Sequence, residues 1–449
     1  MHPVFRLQGS HIGADSNSGF SESGGASGEI RISAPRVLVE QGGEITSETY
    51  GAGVGGLIDV RNVTDLTLRS GGRISSSTTG SGQAGKIHIE AEAVLLDGKD
   101  TNTYLATGTG LFSETSLDAT GNAGAIDLNI QNAIQLQSGA EISTSTSSVG
   151  DGGDVAIRAA GLVIDGAEIT SEATPSATGQ VGDITIQVAT LSLLNRGDIS
   201  IGARQQLPAE QATNGATSHQ IAVDAGTLRL DGGFITAAST GNVPAAAIQI
   251  QAHDARLTND SRITTAAALA DAGPITIDGG WLWLTDSLIT TSVTGENGNG
   301  GNITLTPEYL ILDGGFIQAN TAAQDARGGD IRIDTRTLIA SESLVEIGGA
   351  ERQTFSTDSG RNIIQAAAPG GEQGTIEVTS PDLDITAALV PLATAFDDPD
   401  DLLTDLCRGA MGAEASSLVE RGAGGLPPAP LAPGAVSFIG ARLNRINTP

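Results

Sequence analysis

The sequence predicts an all-β fold, a right-handed parallel β-helix (solenoid) of about 12 coils of ~28 residues. Three observations predict it. A glycine-headed pattern recurs at a near-constant spacing, apolar and polar residues alternate with period two inside each repeat, and the composition is that of short strands and tight turns. Gly is 61 of 449 residues while aromatics are only 3%, too few for several conventional cores.

The repeat opens with Gly-x-(Ile/Val)-x-(Ile/Val/Leu), as in Gly28-Glu29-Ile30-Arg31-Ile32. The same position returns at Gly56, Gly85, Gly124, Gly153, Gly182, His219, Ala246, Gly273, Gly301, Gly329 and Gly374. Successive spacings are 28, 29, 39, 29, 29, 37, 27, 27, 28, 28 and 45, so eight of eleven fall within 27–29. A Leu-x-Leu type pair follows, for example Leu66/Leu68, Leu228/Leu230 and Leu310/Leu312. A Gly- or Asp-containing turn then leads to Ile-x-(Ser/Thr/Ala), as at Ile45, Ile74, Ile142, Ile263 and Ile317.

Period-two alternation places these apolar residues on one face of each strand. No helical periodicity in this block is long enough to cross back over a sheet. Parallel strands without crossover helices have to be stacked by winding the chain itself. At ~4.8 Å per turn, twelve coils make a rod of roughly 55–60 Å. Ser47, Ser76, Thr144, Ser171, Thr265 and Thr291 share one inward column, where small hydroxyls let the wall turn a corner. Glycine is expected at the corners for its positive φ.

The expected organisation is a partial N-terminal coil over 1–27, solenoid repeats over 28–380, and a C-terminal cap with a Gly/Pro-rich extended tail over 381–449. Phe5-Arg6-Leu7 reads as a second strand and Ser10-His11-Ile12 as a third. The chain thus opens in mid-coil, and further coils are expected upstream. Three coils are long. The surplus of the coil from Gly85 falls between its second and third segments (Lys99 to Gly110). In the coils from Gly182 and Gly329 it is expected after the third segment (Gln205 to Ser218, and Glu351 to Pro369). Loops inserted in a solenoid are places where function often sits.

Net charge is 23 − 52 = −29. That disfavours nucleic acid, whose phosphates need Lys/Arg stripes, and an anionic membrane surface. No apolar run approaches the ~18 residues of a membrane span. Met1 to Phe20 has no charged segment followed by an apolar one, so no signal peptide is read there. Cys407 is the single cysteine, which excludes an intrachain disulfide.

After Val378 the repeat fades. Asp384-Ile385-Thr386 is followed by Ala388-Leu389-Val390-Pro391-Leu392, an acidic stretch, Cys407, Ser416-Ser417 and Gly422-Ala423-Gly424-Gly425-Leu426-Pro427-Pro428-Ala429-Pro430. This tail resembles the C-terminal part of the cyanobacterial filamentous-haemagglutinin-like exoproteins of the two-partner secretion pathway. The family usually has Arg where Ala423 stands, so any salt bridge of that Arg is missing here. The resemblance implies an extracellular or cell-surface protein exported by a partner outer-membrane transporter that reads an N-terminal secretion domain. It carries no catalytic residues over.

Candidate sites are few. On the outward column of the first segment, Asp59, His88 and Asp127 follow one another in consecutive coils. The two carboxylates would stand ~10 Å apart, near the range of an inverting glycosidase pair. The plainer reading is charge compensation along a solvent-facing ladder. On the second segment Trp281 and Trp283 alternate with Leu282 and Leu284 and so point outward, beside Tyr309, Ile311 and Ile339 of the following coils. Such a patch fits a surface glycan or protein partner, unless the tail covers it. The turns Gly295 to Gly301 and Gly150 to Asp154 offer oxygen ligands of the kind Ca²⁺ takes, yet match neither an EF-hand nor a Ca²⁺ nonapeptide. No other cofactor is implied. Three functions stay open: a non-enzymatic filamentous adhesin, a polysaccharide-active lyase or hydrolase, and a ligand-free structural spacer.

Overall fold

The computed structural model describes residues 4–16, 25–99, 108–208, 219–341, 344–357 and 359–380. Segment 381–449, which carries the family resemblance, the expected cap and Cys407, lies outside the described residues. Among the described residues there is no α-helix, and every strand pairing is parallel.

The chain winds into a parallel β-solenoid of about 11 turns. Its strands collect into two sheets. The first segment of each repeat stacks in unbroken register. Ile30 sits on Ile58, and the column continues through Ile87, Ile126, Val155, Ile184, Ile221, Ile248, Ile275, Ile303, Ile331 and Ile376. These residues each lie two positions after a repeat head, so the spacing read from the sequence is the winding of the chain.

In one respect the repeat is simpler than its three segments suggest. In most turns the first two segments are one strand of 11 or 12 residues, such as Ile58–Arg69 and Val155–Asp165. They separate at Ile30–Ser33 and Arg36–Glu40, where Pro35 has no N–H to continue the ladder. The third segment forms the second sheet, of short strands such as Glu44–Thr46, Arg73–Ser75 and Glu141–Ser143. Single bridges through Ser16, Thr49, Thr78, Thr115 and Thr146 complete the wall.

The core is a set of ladders running the length of the stack. Ile45, Ile74, Leu111, Ile142, Ile169, Ile199, Ile235, Ile263, Ile289, Ile317 and Ile364 are all fully buried on the short-strand side. Each such side chain is worth about 1.5–3 kcal/mol relative to exposure. The six inward hydroxyl residues are buried as expected. Ser76 Oγ donates to the Ser47 carbonyl (3.2 Å), and Ser113 Oγ to those of Ser76 (3.0 Å) and Gly85 (3.1 Å). They tie one turn to the next.

Glycines at the corner before the short strands, such as Gly42, Gly71 and Gly139, have the expected positive φ, but the head glycines stand where they do for another reason. None of Gly56, Gly85, Gly124 and Gly153 has a positive φ. A Cβ on any of them would lie 1.9 Å from the carbonyl oxygen of the glycine one turn earlier. Glycine stands there because the backbones of successive turns close to contact, which leaves no room for a side chain.

A second device staples the corners. The Gln180 N–H donates to Asp151 Oδ1 (2.8 Å), that of Asp183 to Asp154 Oδ1 (2.9 Å), that of Asn299 to Asp271 Oδ1 (2.7 Å) and that of Arg327 to Asn299 Oδ1 (2.9 Å). Each acceptor serves the turn that follows. Replacing Asp271 by alanine should therefore cost about 1 kcal/mol in thermal unfolding, while Asp271→Asn, which keeps Oδ1, should melt close to the parent. Equal melting of all three chains would mean that the staple contributes nothing.

One expectation about the long coils is corrected. In the coil from Gly329 the third strand is Ile363–Gln365, which pairs with Phe316–Gln318. The surplus therefore precedes that strand, and Glu346–Ile347 adds a short strand on its far side. The deciding contact is polar: Asn320 Nδ2 donates to Gln365 Oε1 (3.1 Å), and the Ala367 N–H donates to Asn320 Oδ1 (2.7 Å). The other two surpluses fall largely on 100–107 and 209–218, outside the described residues.

Candidate functional site

The strand Ile275–Thr285 positions the aromatic patch. Leu282 and Leu284 are buried in the core, so alternation turns Trp281 and Trp283 outward. Parallel register sets Tyr309 beside Trp281, and Ile311 followed by Ile339 beside Trp283. Trp281 is 42% exposed and Ile339 49%. Trp283, Tyr309 and Ile311 are partly buried.

The rings do not lie open as a platform. Trp281 stacks on Tyr309, with centroids 4.2 Å apart and planes 19° apart. Because Tyr309 belongs to the next turn, the stacked faces look along the rod and the ring edges face solvent. The Arg256 guanidinium, one turn earlier, lies 4.4 Å from the Trp283 ring centroid. Trp283 Nε1 is buried with no hydrogen-bond partner. The patch thus offers a ligand an aromatic ridge with Ile339 beside it. Whether the tail covers it falls outside the described residues.

The same strand borders a shallow trough. Upstream of Gly279 and Gly280, the outward residues Gln187, Asp224, Gln251 and Asp278 share one column in four consecutive turns. They line a depression of about 310 Å³ together with Thr185, Gln249 and Thr276. Sequence reading missed it, although each of these residues sits one place after an inward Ile or Val and was available to the same alternation.

Asp59, His88 and Asp127 are in register on consecutive turns, as alternation requires. Their carboxylates are engaged by cations. Arg61 Nε donates to Asp59 Oδ1 (2.6 Å), and Asp59 is buried in spite of its outward position. Lys86 Nζ lies 3.0 Å and His88 Nδ1 3.3 Å from Asp127 Oδ2. Burial raises the Asp127 carboxyl, but the Lys86 bond and the nearby charges of Lys86 and His88 outweigh it and hold it below its usual range. His88 Nε2 also meets Glu90 Oε1 at 3.2 Å. The arrangement is a ladder of paired charges.

In the turns Gly150 to Asp154 and Gly295 to Gly301, Asp151 Oδ1, Asp154 Oδ1 and Asn299 Oδ1 accept backbone N–H groups of the next turn. Among the described residues no group of three or more His, Cys, Asp or Glu side chains is placed to hold a metal ion, and no helix is long and apolar enough to cross a membrane. Sequence reading also passed over a run of acids on the short-strand sheet, Glu141, Glu168 and Asp198. Compared with known protein families, curated proteins and solved structures, the chain matches none.

Proposed function

We propose that this solenoid is a secreted or cell-surface, filamentous adhesin-like protein whose stacked coils hold a contact patch on a rod. The observation that carries the reading is the ridge of exposed Trp281 and Ile339 with partly buried Tyr309 on the outer side of a continuous parallel stack. Apolar surface of this kind marks contact sites, and aromatic side chains supply large contact area at low entropic cost. The net charge of −29 favours a neutral or basic partner over an anionic one. The family resemblance of the tail adds export through an outer-membrane transporter.

A spacer without a ligand is the second reading, favoured by the Trp281 and Trp283 faces that the chain itself occupies. The test is to run the purified chain with a panel of neutral and acidic polysaccharides on a sizing column, following protein retention and polysaccharide length. Co-elution with an intact neutral polysaccharide, weakened about tenfold or more in Trp281→Ala (about 1.4 kcal/mol), supports the adhesin. Absence of co-elution leaves the spacer. Shortened polysaccharide would overturn both readings in favour of a lyase or hydrolase.

A further inference from the structure

The side of the short-strand sheet that faces away from the core carries acids with no part in the site above. Glu141, Glu168 and Asp198 occupy one position on three consecutive strands, in direct register. Neighbouring parallel strands lie ~4.8 Å apart, so three acidic side chains leave the sheet from adjacent positions and feel one another's charge. Glu114 and Glu172 flank the column. Gly110 and then Arg73 precede it, and Phe234 and then Arg262 follow it.

The described cations nearby are directed elsewhere. Arg73 lies 4.6 Å from the Phe112 ring centroid, and Arg196 5.6 Å from that of Phe234. Arg204 pairs with Glu172 (2.8 Å), and Arg262 with Asp260 (2.8 Å). Among the described residues no ion pair reaches Glu141, Glu168 or Asp198. Two further atoms in the same place lack partners. Thr170, which stacks between Ser143 and Ser200, is only 6% exposed, and its Oγ1 makes no hydrogen bond. Asp198 Oδ1 is likewise buried without a donor.

Ionised carboxylates only accept hydrogen bonds, so three in a stack repel and cannot bond one another. A proton turns one of them into a donor to its neighbour or to Thr170. We propose that the Glu141–Glu168–Asp198 column is a proton-operated lock on three turns of the solenoid, closed while its carboxyls share protons and loosened when they ionise. Burial first, and then the charges of Glu114 and Glu168, push Glu141 up to about 7. Burial and then Glu168 push Asp198 up to about 7. Glu168, the most exposed of the three, is raised as well, by partial burial and Glu172, against Arg204.

The sign follows from linkage. A carboxyl with a raised folded value binds more protons folded than unfolded. Its stabilisation is complete below the ordinary carboxyl range near ~4 and is lost as pH rises through about 7. Hydrogen exchange of the full chain, corrected for intrinsic rates, tests this between about pH 5.5 and about pH 8. Opening of the strands Glu141–Ser143, Glu168–Ala173 and Asp198–Ala203 should rise about tenfold or more, since a carboxyl held protonated only when folded loses about a factor of ten for each pH step through which it ionises. In Glu141→Gln/Asp198→Asn the rise should vanish. An unchanged rise in that variant, or none in the parent, overturns the lock. Infrared titration of the parent reads the same point without a variant: a protonated-carboxyl band persisting at about pH 6 and gone by about pH 8 is expected, and its absence at pH 6 refutes the proposal.

Discussion

Gly124→Ala lowers the stability of the solenoid by about 3 kcal/mol, the upper part of the range for forcing extra atoms into a filled space. The added Cβ would stand 1.9 Å from the Gly85 carbonyl oxygen and 2.7 Å from its carbon. Both are backbone atoms of Gly85, two residues before the strand Ile87–Asp97, which is paired on each side, so no rotamer change relieves the contact. Ser113 tightens the place further, since its Oγ accepts the Gly124 N–H (3.0 Å) while donating to Gly85. Gly25→Ala is the control, because a Cβ there meets nothing within 4 Å and its φ is not positive. That change stays within about 0.5 kcal/mol. Chemical denaturation of the three chains decides the matter. Equal midpoints would mean that the turns spread freely to admit a methyl group, and the close-contact account of the repeat would fall.

The same glycine shows where sequence reading stops. Its recurrence reveals the winding, because a turn of the wrong length would move apolar residues from the core face to solvent. Its reason is not legible, since composition cannot distinguish a glycine needed for positive φ from one needed for clearance. The merging of the first two segments is hidden for a related cause. Asn129-Ile130-Gln131-Asn132 reads as a polar break, yet Ile130 is buried and the strand runs on from Ile126 to Gln137 with only a register shift. In the last long coil, Glu346-Ile347 imitates the third-strand pattern. The amide pair of Asn320 and Gln365, which fixes the true strand, joins residues 45 apart and leaves no local sign.

The candidate site divides in the same way. Alternation alone turns Trp281 and Trp283 outward and sets them beside Tyr309 and Ile311. Which ring faces remain free depends on rotamers and on Arg256 one turn away, neither of which has a periodicity. The carboxyl column is legible in principle. Glu141, Glu168 and Asp198 each stand one place before a core isoleucine (Ile142, Ile169, Ile199). A strand as short as Glu141–Ser143 shows too little alternation to mark its outward column, so the column escapes a reading based on periodicity.

Ile186→Asp abolishes the local fold around its turn, whereas Thr185→Asp, one residue away, leaves stability within about 0.5 kcal/mol. Ile186 is fully buried between Ile157 and Val223 in the neighbouring turns, all three side chains in the core ladder. An aspartate there loses the transfer energy of the isoleucine and leaves a carboxyl with no cation and no donor. Together these cost about 4 kcal/mol or more. Thr185 faces outward between Ala156 and Ala222, so a carboxylate there meets neither a like charge at the adjacent positions of its column nor the core. A solenoid turn touches little besides its two neighbours, and its stability is a sum of nearest-neighbour terms. The damage of Ile186→Asp should therefore be local. Hydrogen exchange should show lost protection in Val155–Asp165, Ile184–Leu194 and Gln220–Asp231, with Ile58–Arg69 and Ile303–Asp313 still protected. Loss of protection along the whole stack would instead mean that the turns fold as one cooperative unit, whose core ladders couple far beyond adjacent coils.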